Sequence, residues 1–247
     1  MSPSARAPAS PVRVVFLDDG GVLNDNDRRA VEWRRLLGEF FAPRLGGTPE
    51  AWGEANRGVY EGIWDDWRRL QHRGEEPGPS WWPDQDERWL GGMCERVGVP
   101  VPADVQATVR ASRAHVMAHI DCAYPDAAPA MREMHALGIR LHLASGGQTD
   151  ELEPYLRRMG VWDLIDRPYG TDLLGANKVG RRYYERIVED SGVDPRSAVV
   201  VDSDAEPLEW AEAVGFRTVH VDRLGRGSRF TRIRSLAELA PLLAAQG

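Results

Sequence analysis

The sequence predicts an α/β protein in which a doubly wound parallel sheet is interrupted by an inserted all-helical unit. Short β-branched runs alternate with amphipathic helical stretches over most of the chain, the pattern of a parallel sheet covered on both faces. Residues 27–121 break that alternation with four helix-like segments and no convincing strand. With 247 residues, 42% of them hydrophobic and 28% charged, the chain is long enough for a core domain plus an inserted one, and disorder is excluded.

The predicted strands are short apolar runs bounded by polar residues. They cover 12–18, 139–145, 197–203 and 216–222, and the first, VRVVFLD, ends abruptly in acid and glycine, which is typical of a buried strand entering a tight turn. Helices are predicted between and after them over 125–137, 149–159, 181–190, 206–214 and 235–245.

The clearest helix of the insert begins with Thr48 as N-cap and Pro49 at its first position, followed by one apolar stripe. Seven of the nine tryptophans fall in this region, where most are expected to pack a small helical core. We therefore predict a disordered start over 1–11, a core formed by 12–26 and 122–247, and a helical cap over 27–121.

The composition of the chain excludes several classes of binding partner and location. A net charge of −7 argues against a nucleic-acid or anionic-membrane surface, because both require a positive field from the protein. No apolar run approaches 18 residues and no signal-peptide pattern is present, so the expectation is a cytoplasmic protein without a membrane segment. Two distant cysteines offer neither a disulfide framework nor a zinc ribbon, and a small-molecule partner is favoured.

Chemistry-bearing residues follow the predicted strands. In an open parallel sheet, ligands bind beyond the carboxyl ends of the strands, so these residues are expected at one edge. Lys178 adds a cation and is the only lysine among 31 basic residues. Each feature has a plainer explanation: a turn, a helix cap or a surface lysine. The residues at strand ends are Asp18, Asp19, Ser145, Asp202, Ser203 and Asp204.

Acids, a hydroxyl and a cation at one edge are what a phosphate with a divalent cation requires. Carboxylates would hold the metal, while Lys178, the Ser145 hydroxyl and the backbone amides at Gly146 would neutralise phosphoryl oxygens. The histidines add no catalytic triad; His115 and His119 have helical spacing, for which a solvated face is the expected explanation.

In these motifs the chain resembles the haloacid dehalogenase superfamily, in the class with a helical cap inserted after the first strand of a Rossmann-like core. FLDDGGVL, with Asp18 at the nucleophile position, looks like its first motif; LHLAS, ending at Ser145, looks like the second. Lys178 looks like the third motif, and VVVDSDAEPLEWAEAVG, from Asp202, like the fourth. The resemblance covers residues 12 to about 222.

The resemblance implies a hydrolase in which Asp18 forms a covalent aspartyl intermediate that water then cleaves, with Ser145 and Lys178 completing the catalytic set. In phosphatases of this kind Mg²⁺ is the cofactor, and its ligands here would be Asp18, the Gly20 carbonyl, Asp202 and Asp204. The expected substrate is a small phosphorylated metabolite.

Two departures leave alternatives open. Gly20 stands where phosphatases of the family carry a second aspartate as general acid, and Asp19, Asp25 or a cap residue are the candidate substitutes. Ser203 stands where a metal-binding acid is usual. The alternatives are a metal-free, dehalogenase-like hydrolase and a catalytically impaired binding or regulatory protein.

Overall fold

The computed structural model describes residues 12–73, 75, 77 and 81–245; the start predicted to be disordered, 1–11, lies outside them. Its centre is a sheet of six parallel strands in the order β3-β2-β1-β4-β5-β6, which confirms the predicted fold class. The strands are β1 Val14–Leu17, β2 Arg140–Ala144, β3 Ile165–Tyr169, β4 Ala198–Asp202, β5 Arg217–Val221 and β6 Thr231–Ile233.

Strand β1 lies in the middle of the sheet and pairs with β2 on one side and β4 on the other. All four of its residues are buried, as are all five of β4, because both strands are covered on both faces. This explains why the two strands appear in the sequence as continuous apolar runs.

Strands β3 and β6 were not predicted. The β3 sequence IDRPY has two charged, exposed residues and a proline, and β6 has only three residues. Each lies at an edge of the sheet, where charge and proline are tolerated and the apolar signal is weak.

The helices follow in chain order, and four of them, α1 to α4, cover most of the region 27–121. They are α1 Asn26–Leu45, α2 Pro49–Arg73, α3 Trp81–Val97, α4 Val105–His119, α5 Ala127–Ala136, α6 Thr149–Arg158, α7 Thr171–Leu174, α8 Arg181–Ser191, α9 Ala205–Val214 and α10 Leu239–Ala244.

The chain divides into two compact units. Among the described residues, the core unit contains those up to Asn24, Ala123–Thr149, and those from Met159 onward. The helical unit contains Asp25–Cys122 together with Asp150–Arg158, so most of α6, which the sequence analysis assigned to the core, groups with the inserted helices.

The helical unit has an apolar core of its own. Thr48 caps α2 by accepting a hydrogen bond from the Ala51 amide at 3.2 Å, as predicted. Trp52 is fully buried and stacks on Phe41, while Trp89 donates to the buried Asn56 at 2.9 Å. No helix in the described ranges is long and apolar enough to cross a membrane.

Candidate active site

Asp18 and Asp202 lie side by side at the carboxyl edge of the sheet. Asp18 directly follows β1, Asp202 ends β4, and the parallel register pairs Leu17 with Val201 just before them. The Asp18 amide donates to the Val201 carbonyl at 2.9 Å. The strand order reverses between β1 and β4, the position at which open α/β sheets form a ligand crevice.

Lys178 connects the ends of three adjacent strands. Its Nζ donates to Asp18 Oδ1 at 2.7 Å, to Asp202 Oδ2 at 2.7 Å and to the carbonyl of Ala144, the last residue of β2, at 2.8 Å. The side chain is only 7% exposed. Lys178 lies in a bend before α8, which begins at Arg181, the start that the sequence predicted for this helix. The one lysine of the chain is thus a buried counterion.

Charge and burial oppose each other at this cluster. Burial alone would favour a neutral amine, but the carboxylates of Asp18 and Asp202 raise the pKa of Lys178 well above its ordinary value. Burial and the nearby charge of Asp202 raise the pKa of Asp18, and Lys178 opposes that rise. Two carboxylates share one ammonium, so the cluster keeps an excess of negative charge when both are ionised.

Ser145 follows β2 directly and is buried. Its Oγ accepts the amide of Gly147 at 3.0 Å, which leaves the hydroxyl proton able to donate elsewhere. The Gly147 amide is already hydrogen-bonded to Ser145. The adjacent Gly146 is exposed, and its backbone amide can donate to an anion. The Tyr183 hydroxyl donates a hydrogen bond to the Ser145 carbonyl at 2.9 Å.

Of the candidate substitutes for the missing acid, Asp19 and Asp25 both have structural partners. The buried Asp19 carboxylate accepts from Asn24 Nδ2 at 2.5 Å. Asp25, in the helical unit, caps α1 by accepting the amides of Asp27 and Arg28 at 2.9 and 3.1 Å.

Ser203 and Asp204, the two residues of the fourth motif that follow β4, both make backbone or side-chain hydrogen bonds. Ser203 Oγ donates to the Gly20 carbonyl at 2.9 Å, and the Ser203 carbonyl accepts from His220 Nε2 at 2.9 Å. The Asp204 amide donates to Asp202 Oδ1 at 2.9 Å, and burial together with the charge of Asp202 raises the pKa of Asp204.

The proposed magnesium ligands suit that ion in donor type, since all are oxygens. One oxygen each of Asp18 and Asp202 is bonded to Lys178, and the Gly20 carbonyl keeps a second lone pair beside its bond from Ser203. Within the described ranges, no three His, Cys, Asp or Glu side chains are grouped as a metal site. The donor chemistry therefore fits Mg²⁺, although the carboxylates are arranged around Lys178.

Residues 12–215 match the sequence profile of the haloacid dehalogenase-like hydrolases, which is most of the chain. The chain belongs to this family. It is 30% identical over 128 residues to an (S)-2-haloacid dehalogenase of Burkholderia cepacia, a match covering 49% of this chain and 55% of that protein. It is 31% identical over 125 residues to a phosphatase of Mycobacterium tuberculosis, covering 50% and 57%.

The chain thus spans about half the length of the curated relatives that it matches. A crystal structure of a dehalogenase is similar over 94% of this chain and 97% of its own, with a TM-score of 0.62 and 25% identity. The relatives that the chain matches include both dehalogenases and phosphatases.

Sequence reasoning missed two residues that support this hydrolase site. His220 pairs in register with Asp202 near the carboxyl end of β5, so inspecting the end of that predicted strand could have found it. Tyr183 is fully buried in the helix that follows Lys178, and its position on an apolar helix face gave no sign of its hydroxyl contacts.

Proposed function

We propose that this hydrolase is a Mg²⁺-dependent phosphatase for a small phosphorylated metabolite. The observation that carries the proposal is the shared ammonium of Lys178 between Asp18 and Asp202, which holds one Asp18 oxygen and leaves the other available as nucleophile. The phosphatase relative from Mycobacterium tuberculosis supports the same chemistry.

In the proposed reaction, Asp18 attacks phosphorus, the bond to the leaving oxygen breaks, and water later cleaves the aspartyl phosphate. Lys178 holds the attacking carboxylate in place, while the Ser145 hydroxyl and the Gly146 amide donate to phosphoryl oxygens. Asp18, the Gly20 carbonyl, Asp202 and Asp204 are the proposed Mg²⁺ ligands. The ion would supply the positive charge that a dianionic phosphate needs beside two carboxylates and a single lysine.

A second candidate is hydrolytic dehalogenation, with Asp18 attacking carbon. It is favoured by Gly20, because a departing halide needs no general acid, whereas an alkoxide does. It is also favoured by Ser203, whose hydroxyl engages the Gly20 carbonyl where a metal-binding acid is usual. The dehalogenase relative from Burkholderia cepacia supports this alternative.

One experiment separates the two. Purified protein is assayed for phosphate release from p-nitrophenyl phosphate and for chloride release from both enantiomers of 2-chloropropionate, each with Mg²⁺ or with EDTA. Phosphate release that requires Mg²⁺ supports the proposal, and chloride release that persists in EDTA supports the alternative.

Asp18→Asn should abolish either activity, whereas Asp166→Asn is the matched control, because Asp166 is an exposed aspartate paired with Arg140 on the surface. If neither product forms, the proposal fails and a binding or regulatory role takes its place.

A further inference from the structure

Arg223, just beyond β5, grips the turn that follows Asp18. Its Nε donates to the Gly21 carbonyl at 3.2 Å and its Nη2 to the Val22 carbonyl at 2.8 Å. The side chain is only 17% exposed. One planar guanidinium therefore holds two successive carbonyls of the turn, a geometry that a lysine cannot reproduce.

The same guanidinium also contacts Asp126 and Tyr124. Its Nη1 donates to Asp126 Oδ2 at 3.0 Å, and its plane lies over the Tyr124 ring, 3.6 Å from the centroid. Asp126 Oδ2 also accepts from Ser235 Oγ at 2.6 Å and from the Leu236 amide at 2.7 Å. Burial opposes ionisation, yet these hydrogen bonds lower the pKa of Asp126, so Arg223 has an ionised partner.

This turn needs an external support because it contains two adjacent glycines. Gly20 and Gly21 can adopt many backbone conformations, and Gly21 takes the left-handed one, with φ of 74°. Four successive carbonyls are held from outside the turn: Gly20 by Ser203, Gly21 and Val22 by Arg223, and Leu23 by the Tyr124 amide. Arg223 supplies two of these four bonds.

We infer that Arg223 is a positioning residue that fixes the turn after Asp18 and, through this turn, the Asp18 carboxylate for reaction. The inference rests on the proposed function only in assigning the chemistry to Asp18, which phosphoryl transfer and dehalogenation share. Displacing a reacting group by about 1 Å can cost on the order of 100-fold in rate, which sets the expected size of the effect.

The test measures turn order and catalysis separately. Hydrogen–deuterium exchange is followed at the amides of Leu23 and Asn24, which both donate to the Asp19 carbonyl, in the wild type, Arg223→Lys and Arg223→Ala. Lysine keeps the charge beside Asp126 but loses the fork. We expect exchange at these amides to rise at least tenfold in both variants, and kcat to fall about 100-fold with KM changed by less than about threefold.

Arg132→Ala is the matched control. Arg132 also donates to two backbone carbonyls, those of Met159 and Gly160, at 3.3 and 3.2 Å, but on a different segment of the core unit. It should leave the exchange of Leu23 and Asn24 and the kcat unchanged. For Arg223→Ala, added guanidinium ion should restore part of the lost kcat, a result that a purely structural role would not give.

Unchanged exchange at Leu23 and Asn24 in Arg223→Lys would overturn the inference, as would increased exchange with wild-type kcat. If Arg223→Ala does not fold, Arg223→Lys alone decides the question. An inactive wild-type protein refutes the proposed function before any variant is made, and the exchange experiment still tests whether Arg223 orders the turn.

Discussion

Removing the Lys178 ammonium should expose how much of the core unit's stability depends on the buried charge cluster. The perturbation is Lys178→Met, which keeps the length of the stem and removes the charge. Breaking a buried ion pair by deleting one partner costs about 3–5 kcal/mol, since the other charge is left uncompensated. The upper part of that range is expected, because Lys178 serves two carboxylates that are only 14% and 1% exposed.

The cost should depend on pH with a defined sign. Without the ammonium, burial and the charge of Asp202 raise the folded-state pKa of Asp18 above its unfolded value with no cation to oppose the rise. The folded variant then takes up a proton as the pH falls, and that proton removes part of the repulsion. The loss of stability is therefore largest near pH 8 and smaller near pH 5.

Urea unfolding at pH 8 and pH 5 measures this difference, with the m-value confirming that the same surface is exposed. The double variant Lys178→Met/Asp202→Asn should recover about 1–2 kcal/mol at pH 8, because one of the two uncompensated charges is gone. A loss below about 1 kcal/mol, or an equal loss at both pH values, would refute the assignment of Lys178 as a buried counterion.

Three further predictions concern the same unit. Asp18→Asn should lower turnover at least about 1,000-fold while leaving the melting temperature within about 3 °C of wild type, and retention of a tenth of the activity would remove Asp18 as nucleophile. Gly20→Asp should raise the hydrolysis of alkyl phosphates more than that of aryl phosphates, since a general acid contributes about 100 to 10,000-fold only where the leaving oxygen is basic. The backbone of Gly20 is not in the left-handed region, so it accepts aspartate. Equal or reduced rates on both substrates would contradict this prediction. Burial lowers the pKa of His142 from 6.5 to about 4, so the unfolded chain binds a proton that the folded one does not, and stability should fall by about 3 kcal/mol as the pH drops from 7 to 4. His142→Phe, which keeps the ring that stacks on Phe16, should remove most of that fall in urea titrations, and an unchanged pH profile would contradict it.

Much of the candidate site could be predicted because ligands of open parallel sheets bind beyond the carboxyl ends of the strands. Asp18 and Ser145 follow two buried strands and Asp202 ends a third, and parallel pairing brings such strand ends to one edge of the sheet. Lys178 was found by its rarity, as the one lysine among 31 basic residues, rather than by its position in the chain. Its role beside a phosphate was expected, whereas its three hydrogen bonds to Asp18, Asp202 and the Ala144 carbonyl were not predicted.

The supporting residues could not be predicted because their contacts join segments far apart in sequence. Arg223 is one of thirty arginines, and only the folded chain shows that it binds backbone carbonyls more than two hundred positions earlier, where side-chain type carries no signal. The edge strands were missed for the opposite reason: β3 carries charge and proline, so its pairing is set by neighbours rather than by its own residues.

The two ends of the helical insert meet. Asn24 bridges to Ala123 within the core unit, and the Asp25 amide donates to the Cys122 carbonyl at 2.8 Å within the helical unit. The insert thus leaves the core unit and returns to it at neighbouring residues, so the core unit has no long loop to close at this junction. A short linker from Asn24 to Ala123 could therefore complete the sheet unit without the insert, and the same junction could accept inserts of other lengths without changing strand register.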